Sequence, residues 1–432
     1  MSEEIKYSID GVPSRVDMEI DGYWKEHIDE RIKEIPEGKS FIVCTDWHFT
    51  KGGARNSRKT TALIKYIREK TGIRMVLNLG DPLRGQDDLQ DLCEEIHVSM
   101  EEYFFDVFGH DGLFAVGNHD TNVCVWLGVS RREENPEVEG VDGGGAFNYL
   151  ATQEEIYNAS VRHIEDMVCF DEKMLAKLDQ LEYPYVGKED GIHYSPEEMR
   201  RQAPFWAKMH YHYDDPENKI RYIVMDTGDC GLMGFYVLKM LWTAIFPVEY
   251  DWLAETLMST PEGYDIAVVG HMFATQRPGE GGGSHGIYKM LQAFRAKSKV
   301  EFDVPDKCDN AKILIGDMHK SYDFTGSKFN KTIFTMAGHW HRERCYIWYN
   351  DEDGTEHVNE PYEAGKQYPD NAMFLFLVNN DCFEKPADDL DFEMIPGTTT
   401  ENTFDIVTIK DDGKVVITKI GAGEGGTFSY NS

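Results

Sequence analysis

The 432-residue chain has little positive charge, no CxxC pair among its eight cysteines, and no apolar run near the length of a bilayer crossing. A spanning helix needs about 18 or more apolar residues, so none is expected and no membrane partner is assigned. Scattered cysteines in a chain this size read as reduced, mostly buried thiols rather than as a disulfide scaffold. The opening residues, MSEEIKYSIDG, carry no basic segment followed by an apolar one. A secretory leader is therefore not expected, and the chain is placed in the cytoplasm. Against 77 Asp and Glu stand 44 Lys and Arg, a net charge of −33. Such a surface repels a polyphosphate backbone, which counts against nucleic acid as partner. An acidic chain that handles phosphate needs positive charge gathered at one point, and a metal cluster supplies it.

What is present is an alternation of short apolar runs and amphipathic stretches. The segment 23–35 puts Trp24, Ile28, Ile32 and Ile35 on one helical stripe, a lead-in helix within residues 1–37. SFIVCTD (40–46), IRMVLNLGD (73–81) and GLFAVGNHD (112–120) read as strands, separated by helical patterns over 57–72 and 87–109. That rhythm implies βαβ units and a largely parallel, buried sheet. It breaks at about 121–220, where HYHYDD, the turn PENK and IRYIVMDTGD suggest a hairpin, and again at 272–330. A helix over 249–259 precedes the strand GYDIAVVGH, and KTIFTMAGHWH closes the series near residue 350. Residues 351–432 read as a β-rich segment, with a DDG turn between two strands.

The strand ends carry the chemistry. SFIVCTDWH finishes in Asp46 and His48, MVLNLGD in Asp81, and LFAVGNHD in Asn118, His119 and Asp120. DIAVVGH finishes in His271, and IFTMAGHWH in His339 and His341. Four of the five runs place a glycine directly before the first such residue, which permits a sharp exit and close backbone approach. Ligands gather outside the carboxyl ends of strands in α/β sheets, so these residues can converge. Asp46, His48, Asp81, Asn118, His271, His339 and His341 offer nitrogen and oxygen without a thiolate. That set suits two divalent ions such as Mn, Fe or Zn better than a closed structural zinc site. Asp81, alone at its strand end, is the natural bridge.

The ordered motifs DWH (46–48), GD (80–81), GNHD (117–120), GH (270–271) and GHWH (338–341) resemble those of the calcineurin-like metallophosphoesterase superfamily. The resemblance covers roughly residues 38 to 345. It implies two facing mixed sheets flanked by helices, a four-layer sandwich over 38–350, with the β-rich C-terminal segment packed on it. It assigns Asp46, His48 and His341 to one metal, Asn118, His271 and His339 to the other, and Asp81 to both. His119 then contacts the substrate phosphate or leaving group, and Asp120 orients it. The C-terminal strands also look like a subgroup from Gram-positive bacteria and their phages.

The reaction so implied is hydrolysis of a phosphate mono- or diester by a metal-bridging hydroxide, with His119 as general acid. Purple acid phosphatases carry a tyrosine three residues after the bridging aspartate; here Arg84 stands there, able to grip a phosphate oxygen or to pair with Asp87 or Asp88. Arg55, Arg58 and Lys59 read as a solvated helix face, His210 and His212 as hairpin residues, His285 as part of a surface loop, and Trp340 as packing beneath the site. A nuclease and a non-catalytic binding or virion protein are the rival readings. The charge counts against the first, and the complete ligand set against the second.

Overall fold

β-branched and aromatic runs become strands buried on both faces, and amphipathic runs become the helices that cover them. The computed structural model describes residues 7–9, 12–13, 19–49, 54–83, 95–120, 152–170, 172–179, 196–227, 245–273, 284–304, 317–378 and 394–430. The first part holds β1 (Tyr7–Ile9), β2 (Val12–Pro13), α1 (Gly22–Arg31), β3 (Lys39–Cys44), α2 (Ala54–Thr71), β4 (Val76–Asn78), α3 (95–108) and β5 (Gly112–Phe114). Next come α4 (Gln153–Ala159), β6 (Cys169–Phe170), α5 (Glu172–Asp179), α6 (Pro196–Ala207), β7 (Tyr211–Asp215), β8 (Ile220–Val224), α7 (Pro247–Met258), β9 (Asp265–Val269) and α8 (His285–Ala296). The remainder is β10 (Lys299–Asp303), β11 (His319–Asp323), β12 (Ile333–Ala337), β13 (Arg344–Asn350), β14 (Glu356–Pro361), β15 (Met373–Leu377), β16 (Thr403–Ile409), β17 (Val415–Gly421) and β18 (Gly426–Phe428).

Two mixed sheets result. The six-stranded sheet runs β18-β17-β16-β3-β4-β5, with β3, β4 and β5 parallel and β16 antiparallel to β3. The eight-stranded sheet runs β14-β13-β15-β12-β9-β8-β7-β6, parallel from β15 to β8 and antiparallel outside them. They face one another: the Phe41 ring of β3 meets Tyr222 of β8 edge-on at 5.3 Å. Phe334, Phe376 and Val407 share that core with Trp24, Ile28, Leu63 and Ile67 from α1 and α2. A second core joins Ile266, Ile333 and Leu375 to Tyr250, Leu253, Tyr288 and Leu291 of α7 and α8. Each fully buried aliphatic or aromatic side chain contributes roughly 1.5–3 kcal/mol. The expected four-layer sandwich is present.

Three elements differ from the sequence pattern. The stripe of α1 buries Trp24 and Ile28, but the helix passes into a 3₁₀ turn at Ile32–Glu34 because Pro36 disfavours helix in the residue before it. In α3, residues His97–Phe105 wind as a π-helix, where Ser99 Oγ donates to the Glu95 carbonyl at 2.7 Å and competes with the regular ladder; 87–94 lie outside the described residues. The C-terminal strands are threaded into both sheets rather than laid upon them, β15 between β13 and β12 and β16 against β3. Among the described residues no helix is long and apolar enough to cross a membrane.

Candidate metal centre

β3, β4 and β5 run parallel in one sheet and β9 and β12 in the other, so each set delivers its following turn to one edge. The turns are unusually tight. Asp46, His48, Asp81, His339 and His341 have φ of 53°, 46°, 53°, 72° and 50°, the left-handed region that non-glycine residues avoid. Each costs roughly 1–2 kcal/mol, and the strain persists because neighbouring turns cross-link. Asp46 N donates to Gly80 O at 2.9 Å and His48 N to Asp81 O at 3.1 Å. Asp46 Oδ2 accepts from Thr45 Oγ1 at 2.7 Å and from His339 N at 3.0 Å, while Asp81 Oδ1 accepts from His119 N at 2.8 Å. Two glycines permit the approach. A Cβ on Gly117 would lie 2.0 Å from Asp81 Oδ1, and one on Gly338 2.0 Å from Thr45 Oγ1.

The side chains converge as the turns do. Asp81 Oδ2 lies 2.9 Å from His271 Nε2, 3.7 Å from His48 Nε2 and 3.9 Å from His119 Nε2. Asp46 Oδ1 lies 3.1 Å from His341 Nε2, 3.6 Å from His48 Nε2 and 3.9 Å from His271 Nε2. Among the described residues three groups have candidate donor atoms within 4.8 Å of one another: Asp46, His48 and His341; His48, Asp81 and His119; Asp81, His271 and His339. Asp81 belongs to two of them. His271 Nδ1 bonds the Leu79 carbonyl at 2.8 Å, which fixes the ring and turns Nε2 inward.

The donor set fits a bound cation. His339 Nε2 is buried without a hydrogen-bond partner among the described residues, and Asp81 Oδ2 and His271 Nε2 are buried with only each other at 2.9 Å, a costly state unless an ion satisfies them. Burial raises the Asp46 and Asp81 carboxyls, but His271 with His341 and His119 outweighs it, and both pKa values lie well below the usual range. Burial also opposes charge on His271, yet Asp81 and Asp46 lift its pKa to about 9. His339 drops to about 3 through burial and the His271 charge. Two carboxylates held ionised within a nest of imidazoles are what a divalent ion would replace protons to occupy.

A family model for calcineurin-like phosphoesterases matches residues 39–302. The chain belongs to that family. Its members are mostly hydrolases of phosphate esters. A comparison with curated proteins gives no match. The matched span includes Asp46, His48, Asp81, Asn118, His119, Asp120 and His271, whereas His339 and His341 lie beyond it and are brought in by β12.

The GNHD segment of this phosphoesterase divides differently from the expectation. Asn118 and His119 are half-buried, and His119 joins His48 and Asp81, its ring 4.7 Å from that of His48. Asp120, expected to orient His119, is fully buried and takes backbone amides instead: Gly117 N at 2.7 Å, Asp81 N at 3.1 Å and Leu83 N at 3.4 Å. It clamps the two loops. Burial and the Asp81 charge push its carboxyl up, opposed by the Gly117 and Leu83 amides and by the His271 charge.

Other expectations resolve by packing. Arg84, Asp87 and Asp88 lie outside the described residues, as does the Arg55 side chain. Arg58 is half-buried, but Lys59 is no solvated residue; it is buried against Glu401 and Asp21. His210 sits in the core between Trp206 and Trp252, 2.5 Å from Glu249, and His212 is half-buried on β7. His285 opens α8 rather than a loop, 3.2 Å from Glu356. Trp340 packs edge-on to His339 at 4.5 Å. Sequence reasoning missed Thr45, Asn78 (Oδ1 accepting from Gly80 N at 3.0 Å) and Thr227 (Oγ1 accepting from Met272 N at 2.8 Å). Thr45 and Asn78 lie within two residues of a strand-end motif, which is the signal that could have found them, whereas Thr227 follows β8, which carries no such motif.

Proposed function

We propose that the chain hydrolyses a phosphate mono- or diester, using two divalent ions, Mn, Fe or Zn, held by Asp46, His48, Asp81, Asn118, His271, His339 and His341. The supporting observation is the position of Asp81, whose Oδ2 stands between two groups of imidazoles, 2.9 Å from His271 and 3.7 Å from His48. Bound there, the ions would lower the pKa of an attacking water and neutralise charge on the phosphate oxygens. The chain's own groups supply the rest. His119 is the general acid: its side chain keeps 13% exposure where His48 and His271 keep 3% and 1%, so it can face a substrate and donate a proton to the departing alkoxide. Asp120 holds the Gly117 and Asp81 amides and with them the loop that presents His119. Arg84 is a candidate for gripping the phosphate.

The test is turnover of bis-p-nitrophenyl phosphate and of the corresponding monoester after loading with Mn, Ni, Zn or Fe. His119→Ala should keep both ions and lose most of its rate on poor leaving groups. No turnover of either ester with any ion sinks the enzymatic reading, and loss of an ion from His119→Ala makes that residue a ligand.

A further inference from the structure

The turn that carries His339 and His341 is strained at both residues, and Asp46 meets the His339 amide and the His341 ring but not the backbone that leaves the turn. Its far end is held elsewhere. Glu343, two residues after His341 and one before β13, reaches across to the C-terminal hairpin. Its Oε1 accepts from Gly425 N at 2.8 Å, and its Oε2 lies 3.1 Å from Lys419 Nζ. Lys419 is wholly buried on β17 and faces Asp405 at 2.5 Å, its direct cross-strand partner on β16. The hairpin turn is shaped around this contact: a Cβ on Gly423 would lie 2.2 Å from Glu343 Oε2, and Gly421, Gly423 and Gly425 all have positive φ. Outside, α1 grips β17, with Arg31 Nε donating to Lys419 O at 2.9 Å and Gly421 N to His27 Nε2 at 3.2 Å.

We propose that Glu343 is a positioning residue for the metal centre, holding His341 in its left-handed conformation through Lys419 and Gly425 of the C-terminal hairpin. The inference rests on His341 being a metal ligand, as in the function proposed above. A buried lysine between two carboxylates is an expensive way to fasten a surface hairpin, and a hydrophobic pair of similar volume would fasten it as well. What an apolar pair lacks is direction. The Gly425 amide and the Lys419 ammonium fix both oxygens of Glu343, and so the backbone that leaves His341. Residues that orient ligands in this way typically change metal affinity by 10–100-fold when altered.

The experiment compares Glu343→Asp with Glu343→Gln by equilibrium Mn binding to the metal-stripped protein, alongside thermal unfolding of the ion-free form. Asp keeps the charge and withdraws the carboxyl by one methylene; Gln keeps the length and removes the charge. The expected result is a loss of about tenfold at one of two Mn sites in both variants, since Asp cannot reach both partners and the Gln NH2 group must face a donor, the Gly425 N–H or the Lys419 ammonium. Glu343→Ala should show the larger loss, but the conservative pair decides even where that variant does not fold. Affinity unchanged in Glu343→Asp, whether or not Glu343→Gln loses it, overturns the positioning role. So does a fall in ion-free stability that leaves Mn affinity intact. Wild-type protein that binds none of Mn, Fe or Zn overturns the proposed function and this inference together, whereas two ions bound with Glu343→Asp unchanged overturns this inference alone.

Discussion

The Tyr211 hydroxyl, on β7 of the larger sheet, donates to the Phe114 carbonyl at 2.8 Å and accepts from the Phe114 N–H at 2.9 Å. Phe114 ends β5, the edge strand of the smaller sheet, three residues before Gly117. One side chain thus supplies both partners that the open edge lacks, and ties the GNHD turn to the opposite sheet. Tyr211→Phe should lose roughly 1–3 kcal/mol, because two buried backbone groups become unsatisfied. A lower urea midpoint with an unchanged m-value is the expected reading; an unchanged midpoint refutes the tie.

Asp120→Asn separates two roles. An amide presents one acceptor and two donors to three backbone N–H groups, so at least one faces a donor. The clamp role predicts a loss of about 2 kcal/mol together with weakened Mn uptake, since keeping the Gly117 and Asp81 N–H groups on the amide oxygen turns its NH2 on the Leu83 N–H and loosens the loop after Asp81. A carboxylate acting only through His119 would leave stability and ion content as they are and slow only the poor leaving groups.

In the ion-free protein His271, with its pKa near 9, carries a proton at neutral pH that an incoming ion must displace. Metal affinity should therefore rise with pH from 6 toward 9, with protons released on binding. Calorimetry in two buffers of different ionisation enthalpy measures that release. Chelation should lower the melting temperature, and added Mn or Zn should restore it by mass action. Affinity that is flat with pH would remove His271 from the ligand set.

His212 lies on β7 with its pKa lowered to about 4 by burial and by the Arg221 charge. The folded state holds it neutral, while the unfolded chain protonates it near 6.5. Its contribution is complete above 6.5 and is lost as pH falls from there to about 4. Unfolding titrations between pH 7 and 4 should show a shallower decline for His212→Gln than for the wild type. Parallel curves would mean that His212 is solvated.

The strand ends were legible because an apolar run closing on Asp or His, in four of five cases through a glycine, is a local pattern, and Asp46, His48, Asp81, His271, His339 and His341 are brought together. What Asp120 binds was not legible, since backbone amides have no identity in a sequence. Lys59 read as a surface residue because its partner Glu401 is 342 positions away. The same distance hid the placement of β16: a β-branched run announces a strand but not its neighbour.

That neighbour sets a clock. Ser40 on β3 and Thr408 on β16 touch through their hydroxyls at 2.8 Å across 368 positions. β3 delivers Asp46, yet it stays a bare edge until the penultimate stretch of chain arrives, and closing so long a loop is slow. During synthesis the early βαβ units can form and bury their helices while the turn at Asp46 still lacks its flanking strand. The turn at Asp46 therefore gains its flanking strand only once β16 has docked.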